Sequence, residues 1–194
     1  MDLQLKSLTD NDIRVLFNNN LAGLVADADL KKHLIDLAVR SMRAETLKPF
    51  NDFESAYLRL ERWINDNDSL QAYNRLIGMG DAYLMLAGFY PEHLVMRHKG
   101  LDIQSYVAVG QAAYDYAVYA GNKTHGIEPP VNTAYKLGNY FVSAARALFR
   151  LRSRLDINVV LIRPTIINEI SHALFNGRPI PITKEHERAL LHPL

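Results

Sequence analysis

A chain of 194 residues, 48% hydrophobic and 22% charged, carries enough apolar material for one sizeable core without metal or disulfide staples. Its formal net charge of +1 supplies no global field that would favour nucleic acid or an anionic membrane. The lack of cysteine excludes disulfides, thiol catalysis and thiolate metal centres together, and it fits a cytoplasmic protein.

The first residues, MDLQLKSLTDNDIRVLF, hold no basic patch followed by an apolar stretch, so no secretory leader is expected. The longest apolar runs, such as Ala82 to Tyr90, are about half the ~20 residues of a spanning helix, so no membrane insertion is expected. Leu30, Leu34, Leu37, Ala38 and Met42 recur at helical spacing and predict a helix over about 29–47, ended before Pro49. Phe53, Ala56, Tyr57, Leu60 and Ile64 predict the next, stopped at Asn65-Asp66-Asn67-Asp68.

Gly78-Met79-Gly80 invites comparison with a nucleotide-binding loop. The dinucleotide pattern needs a third glycine where Tyr83 stands, and a strand before it. A Walker loop needs Gly-Lys-Ser/Thr, which is absent. Leu70, Tyr73, Ile77, Gly80, Leu84 and Ala87 instead continue one apolar helical stripe, which places Gly80 on a buried face. Glycine there costs ~1 kcal/mol of helix propensity, offset if a neighbour needs the room. The matching surface is predicted on a helix over 102–121, where Gly110, Ala113, Ala117 and Gly121 form a row of small residues and Asp102 is the N-cap. Tyr73, Tyr106 and Tyr114 are expected at its margins. Gly88 reads as the residue after the helix, and Pro91 and Glu92 as the first turn of the next.

The pattern G-D-x-x-L-x-x-x-G-F-x-P-E-x-L runs through Gly80, Asp81, Leu84, Gly88, Phe89, Pro91, Glu92 and Leu94, and is followed by Tyr106, Gly110 and Ala113-Tyr114. It resembles a group of uncharacterised bacterial helical proteins. The resemblance implies a helical fold and a bacterial origin, and it implies no activity.

A long helix is predicted from Pro129-Pro130, carrying Val131, Ala134, Tyr135, Gly138, Phe141, Val142, Ala145, Leu148 and Phe149. Residues 157–162 are rich in β-branched side chains but have no partner run, and fit a connector or a helix equally. The whole reads as an all-α bundle of about six to eight helices. It forms one domain over 1–177, with a proline-containing tail over 178–194 lying on the body or on a neighbouring subunit.

Candidate chemistry is sparse. Asp81, Glu92, His93, Arg97 and His98 are the densest titratable group near the glycine corner, a pocket if they converge and a polar helix face if they do not. Arg152 falls within the apolar stripe if its helix persists; it then needs a buried carboxylate partner, for which Asp81 and Asp156 are candidates, or the helix has ended before it. Arg146, Arg150 and Arg154 fit a basic helix C-terminus. Glu169 and His172 have Glu-x-x-His spacing, yet no second copy exists, and both project off the stripe of Ile166, Ile167, Ile170 and Leu174. No catalytic residue, metal site or cofactor is assigned.

The leading functional expectation is a non-enzymatic cytoplasmic helical protein acting by protein–protein interaction as a homodimer, with nucleic acid disfavoured. Gly80, Gly88, Pro91, Gly110, Ala113 and Gly138 are expected to serve helix packing. The alternative is a small-molecule or cofactor-binding bundle, or an enzyme, with its pocket near the Gly80–His98 corner.

Overall fold

The computed structural model describes residues 9–43, 53–65, 67–91, 94, 102–154 and 164–176. Among these it is an all-α bundle of eight helices with no strand. They are α1 (Asp10–Leu21), α2 (Ala28–Arg43), α3 (Phe53–Ile64), α4 (Ser69–Gly88), α5 (Ile103–Gly121), α6 (Val131–Asn139), α7 (Phe141–Arg154) and α8 (Pro164–Phe175).

Local sequence explains the helix starts. Thr9 and Asp12 form a reciprocal capping box at the head of α1, each satisfying a backbone amide of the other. Asp68 and Asp102 accept from the amides of Gln71 and Ser105 to start α4 and α5. The capping hydrogen bonds from Ser105 hold the Asp102 carboxyl below its ordinary range, so this anion stays beside the positive end of α5.

Helix α4 is the centre of the bundle. Every residue from Met79 to Gly88 is buried, so this segment is enclosed on all sides rather than on one face. It packs most extensively against α5 and next against α7. Helix α6 lies on α5, α1 and α2 pair with each other, α3 lies against α4 and α5, and α8 against α7 and α5.

The glycines sit at these contacts, but their role differs from a simple meeting of small faces. An added side-chain carbon at Gly80 would lie 2.8 Å from the Tyr114 ring, at Gly110 2.5 Å from Phe141, and at Gly121 2.8 Å from Tyr73. The row of small residues on α5 therefore seats aromatic rings, with Ala113 and Ala117 fully buried between them. Backbone approaches backbone at Gly88, where an added carbon would stand 2.7 Å from the carbonyl oxygen of Ala145 on α7.

Several expectations are corrected. Gly88 is the last residue of α4, not the residue beyond it; Phe89 caps the helix in a right-handed conformation, and glycine is required by the α7 crossing. Leu70 is 49% exposed, off the buried stripe. The long helix after Pro130 is two helices, broken at Tyr140 (φ −107°, ψ 20°) just after the weak helix formers Gly138 and Asn139. Tyr135 lies on the solvent side of the first of these. In accord with expectation, Pro91 is helical, and it and Leu94 are buried. The end of the helix predicted to Leu47, residues 157–162 and the tail over 178–194 lie outside the described residues.

Candidate functional site

Asp81 is the one carboxylate in the apolar centre of α4, 5% exposed. Three side chains from two other helices converge on it. His33 of α2 meets its Oδ1 through Nε2 at 2.6 Å, and the Tyr114 hydroxyl of α5 donates to the same oxygen at 2.7 Å. Arg40, two turns along α2 from His33, donates from Nη2 to Oδ2 at 3.1 Å. His33 and Tyr114 are buried, whereas the Arg40 side chain is 58% exposed and connects the cluster to solvent.

The electrostatics follow from this arrangement. Burial pushes the Asp81 carboxyl up, but the charges and hydrogen bonds of His33, Tyr114 and Arg40 outweigh it and hold the group below the usual carboxylate range. An ionised carboxylate only accepts, so His33 Nε2 carries a hydrogen in this contact. Burial and the nearby Asp81 charge push the Tyr114 hydroxyl well above its ordinary value, which keeps it a donor at neutral pH. Tyr73, two turns before Asp81 on α4, is pushed up by burial and by the same carboxylate, and donates to the Pro129 carbonyl.

Arg152, the other described candidate, is 2% exposed, as its place in the stripe of α7 predicts. Its Nη1 donates to the Phe89 carbonyl at 2.6 Å, and its guanidinium lies over the Tyr90 ring, 5.8 Å from the centroid. It therefore caps the carboxyl end of α4, about 12 Å along the helix from Asp81, and the carboxylate is engaged elsewhere. Asp156, Glu92, His93, Arg97 and His98 lie outside the described residues. Arg146 donates to the Leu174 carbonyl and Arg150 lies against Phe175, so both serve the α7–α8 contact. His172 is exposed while Ile170 and Leu174 are buried. Among the described residues no group of three His, Cys, Asp or Glu side chains could hold a metal ion. No helix among them is long and apolar enough to cross a membrane.

Sequence reasoning singled out Asp81 but missed His33 and Arg40. The signal for His33 was present: it lies three residues after Leu30 and four before Leu37, on the buried stripe of α2. A polar residue in that phase needs a buried partner.

A second feature is a set of exposed tyrosines on α5 and α6: Tyr116, Tyr119 and Tyr135, with Tyr140 at the α6 end, between 41% and 60% exposed. Two contacts fix the antiparallel register of these helices, Gly121 against Val131 and Gly138 against Asp115. Tyr119 falls between Asp115 and Gly121 on α5, and Tyr135 between Val131 and Gly138 on α6, so both lie within the span of these two contacts. Lys123 lies over the Tyr119 ring, its Nζ 4.0 Å from the centroid.

Compared with known proteins, the chain matches no family model, no curated protein and no solved structure.

Proposed function

We propose that the protein works by protein–protein contact as a homodimer, through the tyrosine-bearing face of α5 and α6. The observation that carries this reading is the exposure of Tyr116 and Tyr119 on α5 and of Tyr135 and Tyr140 on and beside α6, two helices that pack together. Tyrosines supply large contact area at low conformational cost and retain a polar tip for the free state. Four of them contribute several hundred Å² toward the roughly 800 Å² per partner of an ordinary interface. A net charge of +1 leaves little repulsion between two copies. Sedimentation velocity over a micromolar concentration series tests the reading. Dimerisation that is lost in the Tyr119→Ser/Tyr135→Ser variant, with helicity unchanged, supports it. A monomer at every concentration overturns it.

A second reading, a small-molecule or cofactor-binding bundle or an enzyme, draws on the Asp81 cluster. A carboxylate that orients a histidine beside a tyrosine and an arginine is a set of groups suited to proton transfer or anion binding. Against it, both Asp81 oxygens are already occupied by donors from the protein itself. Native mass spectrometry distinguishes the two: a reproducible excess mass lost in Asp81→Asn favours the second, and a dimer of unmodified mass favours the first.

A further inference from the structure

Helices α1 and α2 leave a shallow groove of about 460 Å³, lined by residues of these two helices. Arg14, Val15 and Asn18 line it from α1, and Ala28, Lys31, Lys32, Ile35 and Asp36 from α2. The α2 residues follow helical spacing and extend for about two turns, roughly 12 Å.

Its charge is one-sided. Arg14 is paired with Asp36, the only acid among the described residues that line the groove. Asp27 and Asp29, which flank Ala28 in sequence, are drawn to Lys136 of α6, at 2.6 and 3.5 Å. Among the described residues no carboxylate pairs with Lys31 or Lys32. Two uncompensated cations thus border a floor that includes Ile35 and the 53%-exposed Val15.

We propose that this groove binds an acidic, amphipathic segment of a partner protein, which sets its carboxylates against Lys31 and Lys32 and an apolar residue over Val15. Helix-in-groove recognition reads such anchors at i, i+3 and i+4 spacing. Among the described residues no aromatic side chain lines the groove to stack a base, which disfavours single-stranded nucleic acid. A membrane surface favours a broad convex apolar face with large side chains, and here the one exposed large apolar side chain among the described lining residues is Val15. The inference shares with the dimer reading the premise of protein contact, and none of the four tyrosines lines this groove.

The test uses the full chain and a fluorescein-labelled helical peptide of about 14 residues, with leucines on one face and glutamates beside them. A matched peptide with every glutamate replaced by lysine, an oligo-dT strand and phosphatidylserine vesicles serve as competitors. The expected result is salt-sensitive binding of the acidic peptide, weakened about tenfold or more by Lys31→Glu/Lys32→Glu, and weakened by Val15→Asp without loss of helicity. Absence of binding at high micromolar concentration, equal binding of the lysine peptide, or an affinity unmoved by the double charge reversal overturns the proposal. Displacement of the peptide by oligo-dT or vesicles at lower concentration than by unlabelled peptide also overturns it. The sedimentation series is read separately: a Lys31→Glu/Lys32→Glu protein that still dimerises shows that only the groove has failed.

Discussion

Tyr114 hydrogen-bonds Asp81 at 2.7 Å while its ring occupies the space that Gly80 leaves empty. The two adjacent α4 residues thus have one partner, and each requires the other. A side chain at position 80 would displace the ring, and a displaced ring would take the hydroxyl from a buried carboxylate. Gly80 is therefore a condition for burying Asp81 in an apolar helix, because a charge there is tolerable only with its donors in place.

Replacing Asp81 by asparagine leaves His33 and Tyr114 without their charged acceptor. The expected loss at neutral pH is about 3 kcal/mol, at the low end for a broken buried ion pair because Arg40 can turn to solvent. The pH dependence has a definite sign. Asp81 is held below its ordinary value in the folded state, so its contribution is present above the unfolded value of about 4 and is lost as pH falls through the lower folded value. Urea denaturation should show the wild-type advantage in full at pH 6 and narrowing below about pH 4. A gap that stays constant down to pH 2.5 would show that Asp81 is not the titrating group.

Much of this architecture was legible because helix periodicity is a local property. The helices α2, α3, α5 and α8, the N-cap at Asp102 and the buried phase of Gly80 and Arg152 follow from spacing alone. Helix α1 was not identified, although Thr9-x-x-Asp12 followed by Ile13, Phe17 and Leu21 is a capping box leading into an apolar stripe. The partners of Asp81 were not legible in the same way. His33 and Arg40 lie 48 and 41 residues earlier, and nothing in a sequence fixes which faces of α2 and α4 meet. Gly88 misled for a related reason: glycine at a helix end ordinarily reflects a left-handed cap, and only the crossing of α7 reveals that here it reflects a close backbone.

His33 and Tyr114 both bond Oδ1 of Asp81, so their contributions should not add. Tyr114→Phe removes one hydrogen bond to a charged acceptor and should cost about 1.5–3 kcal/mol. The double variant His33→Gln/Tyr114→Phe should differ from the sum of the singles by about 0.5 kcal/mol or more. Tyr114→Phe should also raise the Asp81 carboxyl toward its ordinary value and move the acid unfolding midpoint upward, since one of the groups holding it down is gone. Additive energies with an unchanged acid midpoint would mean that the three side chains do not act as one network.

Gly78 and Gly88 lie in the same helix and separate packing from propensity. Around Gly78 an added carbon meets nothing within 4 Å, so Gly78→Ala should stabilise the protein by about 0.5–1 kcal/mol through the helix preference of alanine. At Gly88 the same carbon would stand 2.7 Å from the Ala145 carbonyl oxygen and 2.9 Å from its Cα, both backbone atoms that cannot rotate aside. Relief requires α4 and α7 to move apart, and with Phe89 and Leu148 fully buried nearby that movement opens the core. Gly88→Ala should therefore destabilise by about 1–3 kcal/mol despite the same gain in propensity. Thermal melts of the two variants should move in opposite directions. Equal upward shifts would show that α7 does not cross α4 at this distance in solution.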